Sequence, residues 1–560
     1  IAFYYYTDYK ESPIMKDIPS LDSLFEEYYK AILPLIDEEK AKSLHLYIED
    51  YKQKYSDVLN NRIKEYINIS QTHYNNQRMI EEYCALREPL PLTSNFGIHI
   101  HSLDTENTYT FIEYTTYIIY AMIQLCNAVI VQGQHQSIQT CFGVCKIAHS
   151  HSDTIQHTTN MTHYLIHHNG NFYCIPFFDE SGTLYSREAI YEMLKTIVKE
   201  KRGESSLVCY VSYMGSDVVV DYISQYMQSP ENHHFLETIQ NAQFTLVLCD
   251  TEYTEEEYTS ISYPISSPVW AYSSCSLLIW KNKEITGYFE HTYVDGTTAV
   301  AFLEQLASYY MLYKDCIDIS HKHTPCRYTA LSLPYTKEQH ILLEQYKQKA
   351  MDIASSLTTL ILRFDIRTIR NHYPTDAFIQ CMLQYALYTI HGFLSSVYEP
   401  VRIKAHEDAR VEALRPVSCE SLAYIETLYT TKEWNDSLMK TVCNEHKRRI
   451  TLCQQGRYFS RLFSLLAHLT QGTQAHTFFT TPEFEQLDSD YLVTSNIGSS
   501  PYIKHFFYIR ELPVHYNVGY MIQDGIATLC FTCNSSYVDM KRLQQGCEEF
   551  YHLAYTFCTL

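Results

Sequence analysis

The chain has 560 residues, 46% of them hydrophobic, enough to bury a large core and too many for one small domain. Its 64 acidic residues outweigh 43 Lys and Arg, a formal net charge of -21 that, with no basic run or stripe, argues against a nucleic-acid partner. Eighteen cysteines without a repeating spacing read as reduced, mostly packed thiols of an intracellular protein, not as a disulfide framework.

The opening Ile1-Ala-Phe-Tyr-Tyr-Tyr6 has neither an initiator Met nor a basic n-region, which leaves a targeting sequence upstream open. The final Phe557-Cys-Thr-Leu560 is not a peroxisomal tail. Helices are predicted over about residues 21–86: Pro19-Ser20 gives a helix start, and Leu21, Leu24, Phe25 and Tyr28 recur at helical spacing. Pro89 and Pro91 break that pattern and mark a candidate boundary. Residues 111–131 approach membrane-spanning length but carry Glu113, Thr115, Thr116, Gln124 and Asn127, so they read as a buried or amphipathic helix and no integral membrane span is expected.

Strands are predicted at 172–178, 207–212, 244–249, 276–280 and 285–289, all rich in β-branched and aromatic residues. Helix resumes over 337–361, a basic loop with Arg363, Arg367 and Arg370 follows, and Pro374-Thr-Asp376 starts another helix. Beyond Tyr491 strands return at 505–509 and 526–532, the second holding Cys530 and Cys533 as packed thiols. The class is mixed α/β.

The strongest chemical signal is Gly287-Tyr-Phe-Glu290-His291-Thr-Tyr-Val-Asp295-Gly296. A histidine at the end of a rigid strand can be held in one tautomer while its other nitrogen faces a substrate. Taken alone, the pattern suits a structural histidine equally well. His99/His101, His149/His151 with Asp153, and His167-His168 alternate like metal ligands, but such clusters are expected among 26 histidines and no metal is assigned.

Glu290-His291-x-x-x-Asp295-Gly296 resembles the active-site motif of the carnitine/choline acyltransferase family, and further matches follow in that family's order. They are Pro19-Ser-Leu21 with Tyr28, Leu33-Pro-Leu-Ile-Asp37, Pro374-Thr-Asp376-Ala-Phe-Ile-Gln380, Tyr398-Glu399 after Gly392, Leu492-Val-Thr494-Ser495-Asn496 and Phe506-Phe507. The resemblance covers nearly the whole chain. It implies an α/β fold of two chloramphenicol-acetyltransferase-like domains, with mixed sheets and flanking helices and an active-site tunnel between them. Residues 93–335 would carry the catalytic histidine; residues 1–92 plus 336–560 would carry the CoA- and acceptor-binding motifs.

The same resemblance implies roles. His291 is the general base, Asp295 orients or polarises it, and Ser495 donates to the oxyanion of the tetrahedral intermediate. CoA or acyl-CoA is the co-substrate, met by Arg367, Arg370, Asp376, Lys447 and Asn496, and no metal is needed. The acceptor pocket comprises Tyr398, Val411, Arg461, Thr494 and Phe507, the last suited to a trimethylammonium group. Here the motifs diverge: Arg410-Val411-Glu412-Ala413-Leu414-Arg415 is nearer the choline version, while Arg461 stands where carnitine enzymes hold a carboxylate. Val493 and Pro400 replace serines of the family pattern. His505 falls where a large side chain accompanies short acyl groups. The expected enzyme moves a short acyl group between CoA and a small trimethylammonium alcohol, carnitine slightly ahead of choline. It is expected to act as a monomer with small-molecule partners only. The alternative is a degenerate homologue that binds CoA or a partner without turnover.

Overall fold

Helices fill the N-terminal part because its polar caps and apolar stripes agree. In the computed structural model the Ser20 hydroxyl accepts from the Ser23 amide at 3.2 Å and caps helix Leu21–Ile32. Asp37 caps helix Glu38–Ile69 in the same way, and helix Tyr74–Ala85 follows. Described are residues 18–559 except 71, 256–268, 315–322, 406–408, 510–515, 535 and 537. Residues 1–17, where a targeting signal would be sought, and Leu560 lie outside them. The apolar face of the first helices packs on the C-terminal half: Phe25 meets Phe463 at 5.0 Å and Tyr28 meets Phe478 at 5.1 Å between ring centroids.

Two mixed sheets with flanking helices form the body, as the resemblance implied. Across the first run Ile503–Tyr508, Asn95–Ile100, Ile285–Glu290, Cys275–Ile279, Thr245–Leu248, His163–His168, Asn171–Pro176 and Thr329–Leu331. Across the second run Leu357–Asp365, Ile526–Asn534, Tyr516–Gln523, Leu492–Asn496, Val397–Arg402 and Val411–Leu414. The second sheet draws wholly on the C-terminal half. The first draws on residues 95–331 save for its outer strand Ile503–Tyr508, which pairs antiparallel with Asn95–Ile100.

Helix Phe111–Ile130 is capped by a reciprocal Thr110–Glu113 box and packs beside helix Gly296–Tyr313, with Tyr114 and Tyr310 rings 5.5 Å apart. It is a core helix, and no helix among the described residues is long and apolar enough to cross a membrane. Cys530 and Cys533 are buried in strand Ile526–Asn534, and every described cysteine is free.

Two expectations need correction. Residues 207–212 are not a strand but lie in the 3-10 segment Ser205–Tyr213, every residue of which is buried. An apolar run buried on all sides carries no periodicity to separate the two states. Its backbone bonds run along the 3-10 turns instead of a ladder, and Val208 N–H also donates to Tyr335 Oη at 3.0 Å. The second helical run also stops early. Helix Lys337–Ser356 gives way to strand Leu357–Asp365, whose β-branched Thr358, Thr359 and Ile361 favour the pleat and pair along Ile526–Asn534. The basic stretch is therefore part strand, followed by a 3-10 turn at Ile369–Asn371.

Candidate active site

His291 follows directly from strand Ile285–Glu290. Its neighbour Glu290 turns into the interior and ties the turn down. The carboxylate accepts from the Ser94 hydroxyl, the Thr292 amide (3.0 Å) and the Thr292 hydroxyl (2.7 Å). The His291 ring lies between Tyr83 and Phe96, each 5.1 Å away by centroid. Nδ1 is 2.9 Å from the Val294 carbonyl oxygen. A carbonyl can only accept, so Nδ1 carries the proton and Nε2 of the neutral ring is bare. The side chain is 31% exposed. Burial and the charge of Arg410 hold the imidazole below its ordinary value, against the opposing pull of Asp295. At neutral pH His291 is therefore an unprotonated base.

Asp295 caps helix Gly296–Tyr313 by position, but its carboxylate is turned to Arg410. Oδ1 is 3.6 Å from His291 Nδ1, an ion-pair distance, while Arg410 Nε reaches it at 3.0 Å and Nη2 at 2.5 Å. Burial alone would raise Asp295, yet the guanidinium keeps it below the usual carboxylate range. Arg410 also donates to the Thr292 carbonyl (2.7 Å) and the His291 carbonyl (2.8 Å). The orientation of the ring thus comes from Val294, and that of the whole turn from Arg410 with Asp295. Sequence reasoning quoted Arg410 within the acceptor motif and missed this role, because its partners lie about 115 residues away.

The Asp295 turn abuts the second sheet. A Cβ on Gly296 would come within 2.8 Å of Ile497 Cγ2, just past strand Leu492–Asn496. Ser495 is in that strand, opposite Gly519 in register, and partly exposed. Thr494 is buried; it accepts from Gln380 Nε2 and donates to the Tyr398 carbonyl, both at 2.9 Å. Asn496 Nδ2 donates to Asp376 Oδ1 at 3.3 Å, and Tyr520 Oη donates to the same oxygen at 2.5 Å.

Asp376, Glu399 and His446 form a close group, their ligand-type atoms all within 4.8 Å of one another. Burial, then the neighbouring Asp376 charge and hydrogen bond, push Glu399 well above the usual carboxylate range. Burial would raise Asp376 too, but bonds from His446, Glu399 and Tyr520 hold it below its usual value. Of the two carboxyls, Glu399 is therefore the one that holds a proton more readily. Lys447 follows His446 on helix Asp436–Gln454 and is exposed.

Arg367 and Arg370 are both exposed, ahead of the Asp376 helix. Arg367 is engaged already: its Nε is 2.9 Å from Asp365 Oδ1, and this pairing holds the Asp365 carboxyl at about 2. Among the residues expected to meet the acceptor, Arg461 Nε donates to the Val411 carbonyl and Nη2 to Tyr398 Oη, both at 3.2 Å. Glu412 accepts from the Arg461 amide at 2.9 Å, and burial pushes its carboxyl up to about 7. Tyr398, Val411, Thr494 and Arg461 are thus brought together. Phe507 belongs to a different wall, buried in an apolar cluster with Leu278, Trp280 and Tyr288.

The Choline/Carnitine o-acyltransferase family profile matches residues 17–549. The chain belongs to this family. It is 21% identical over 417 residues to carnitine O-palmitoyltransferase 2, mitochondrial, of Bos taurus, covering 69% of this chain and 61% of that protein. It is likewise 21% identical over 493 residues to the muscle isoform of carnitine O-palmitoyltransferase 1 of Homo sapiens, covering 80% and 63%. A putative mitochondrial carnitine O-acetyltransferase of Saccharomyces cerevisiae is 23% identical over 291 residues, covering 45% and 42%. The chain therefore spans about three-fifths or less of the length of these curated relatives. Among solved structures, the epimerization domain from the third module of tyrocidine synthetase B aligns with a TM-score of 0.39 at 10% identity, covering 84% of this chain and 94% of that one.

Within the family frame, the polar environment of His505 is a feature the sequence did not disclose. His505 is buried, its Nε2 2.8 Å from Tyr253 Oη, and its ring is stacked 5.3 Å from that of His99. His99 is itself tied to Glu284 at 2.7 Å and Thr286 at 2.9 Å. The alternating His99 of the sequence is thus a satisfied core histidine.

Proposed function

We propose that the protein is a CoA-dependent O-acyltransferase that moves a short acyl group directly between CoA and a small trimethylammonium alcohol. The observation that carries this reading is the Nδ1–Val294 hydrogen bond, which leaves Nε2 of a partly exposed, neutral His291 as the base. Nε2 takes the proton of the acceptor hydroxyl as its oxygen attacks the thioester carbonyl. The tetrahedral oxyanion accepts a hydrogen bond from Ser495. Collapse breaks the carbon–sulfur bond, and the imidazolium returns its proton to the departing thiolate, so no covalent acyl-enzyme forms.

CoA would lie along Arg367, Arg370 and Lys447, with Asp376 and Asn496 nearer the reacting end. The acceptor would lie against Tyr398, Val411, Arg461 and Thr494, without Phe507, which is buried in its own apolar cluster. Residues 93–335 would act as the unit bearing the base, and residues 1–92 with 336–560 as the unit bearing the binding motifs. Arg461 favours carnitine over choline as acceptor, since a carboxylate can meet its guanidinium. The hydrogen-bonded His505 supports a short acyl group, because displacing it would leave Tyr253 and His99 without their arrangement. Thiol release from acetyl-CoA, measured with carnitine and with choline, tests the reading. CoA binding without thiol release for either alcohol would make the chain a non-catalytic homologue instead.

A further inference from the structure

Helix Tyr74–Ala85 brings a carboxylate to the guanidinium that the acceptor would meet. Glu82 Oε2 lies 3.5 Å from Arg461 Nη1. The other oxygen of Glu82 is held twice: Ser464 Oγ donates to it at 2.6 Å, and Arg78 Nε is 3.1 Å away. Ser464 is one turn beyond Arg461 on helix Ser460–Leu469, so the carboxylate is anchored to the element that carries the guanidinium. Glu82 is 30% exposed and Arg461 16%, which puts the pair at the border of open space and not in sealed core. The adjacent Tyr83 places its ring 5.1 Å from His291, so this border is the wall of the same site. The side-chain partners of Arg461 at Val411 and Tyr398 are neutral, whereas Glu82 is an ion-pair partner.

We propose that Glu82 determines acceptor specificity by serving as the resident counter-ion of Arg461, which weakens the pocket's preference for an acceptor bearing a carboxylate. The proposal rests on the reading of this pocket as the acceptor site. A carboxylate that approaches Arg461 must face the like charge of Glu82 across the guanidinium, and in a half-buried site that repulsion is poorly screened. An acceptor whose charge is only a trimethylammonium group meets no such penalty. The pocket's preference for carnitine is then only slight, although Arg461 is kept.

Calorimetric titration of carnitine and of choline into wild type and Glu82→Gln tests this, with thiol release from acetyl-CoA followed in parallel. Gln keeps the shape and the Ser464 bond and removes the charge. The carnitine Kd is expected to fall about tenfold while the choline Kd changes less than about twofold. Adding Arg461→Asn to Glu82→Gln is expected to erase the gain, because the two residues act as a pair. Carnitine binding that is unchanged, weakened or undetectable in a folded Glu82→Gln protein overturns the proposal, and so does a gain that survives Arg461→Asn. Should Glu82→Gln not fold, Ser464→Ala, which frees one anchor of the carboxylate, is expected to shift carnitine affinity, and no shift counts against it. Absence of thiol release from wild type sinks the acyl-transfer reading alone; the binding comparison still decides on Glu82.

Discussion

Arg410 and Asp295 form a forked ion pair that joins the second sheet to the turn carrying His291, with Nε at 3.0 Å and Nη2 at 2.5 Å from the same carboxylate oxygen. The guanidinium also holds the His291 and Thr292 carbonyls, so one side chain fixes three points of that turn. Replacing it by Gln is expected to lower kcat about a hundredfold, a typical cost of misplacing a catalytic group. Arg410 depresses the His291 pKa, so its removal must raise it. The acid limb of the kcat/KM profile should move to higher pH. A profile that keeps its acid limb would show that Arg410 does not act on His291.

Loss of the base is expected to be more severe. His291→Ala should cut turnover by about a thousandfold or more while CoA binding stays nearly intact. A variant that retains a tenth of wild-type turnover removes His291 from the mechanism. Ser495→Ala should lower kcat about a hundred- to a thousandfold with little change in KM. An effect confined to KM would make Ser495 a binding residue.

The two exposed arginines are expected to differ. Arg370→Ala should weaken CoA more than dephospho-CoA, because its charge would face the 3′-phosphate. Arg367→Ala should do the same to a smaller degree, since Asp365 already occupies its fork. Equal losses for both ligands, measured by calorimetry, would place neither arginine at that phosphate.

The Asp376–Glu399 pair gives a stability prediction. Glu399 has a folded pKa raised above the ordinary carboxylate value, so the folded protein binds the extra proton. That contribution is complete below the unfolded value of about 4.3 and fades as pH rises toward the folded one. Glu399→Gln mimics the protonated form and should remove this dependence. The melting temperature of wild type minus that of the variant is expected to fall between pH 5 and 8. A flat difference would mean that Glu399 is ionised in the folded state.

How much of this was legible in the sequence depended on distance along the chain. Strand Ile285–Glu290, the helix that starts at Thr375 and the entry of Leu21 into a helix were readable because their causes are local: β-branched and aromatic residues, a proline, a serine cap. His291 and Asp295 stood out because they lie only four positions apart. Arg410, Glu82 and the Tyr253–His505 bond were not readable, since each is a contact between residues far apart in sequence. The 3-10 segment Ser205–Tyr213 failed for another reason: buried at every position, it has no exposed face whose spacing could reveal a period.

Strand Ile503–Tyr508 sits at the rim of the first sheet, beside Asn95–Ile100, although the other described strands of that sheet precede residue 332. During synthesis the rim partner emerges long after the rest of the sheet. Until then Asn95–Ile100 presents a bare row of amides and carbonyls, open to any passing strand. The nascent chain should therefore depend on chaperones through that interval. A backbone break after residue 335 would yield two pieces joined by this borrowed strand and by the N-terminal helices packed on the C-terminal half, a natural basis for a fragment-complementation reporter.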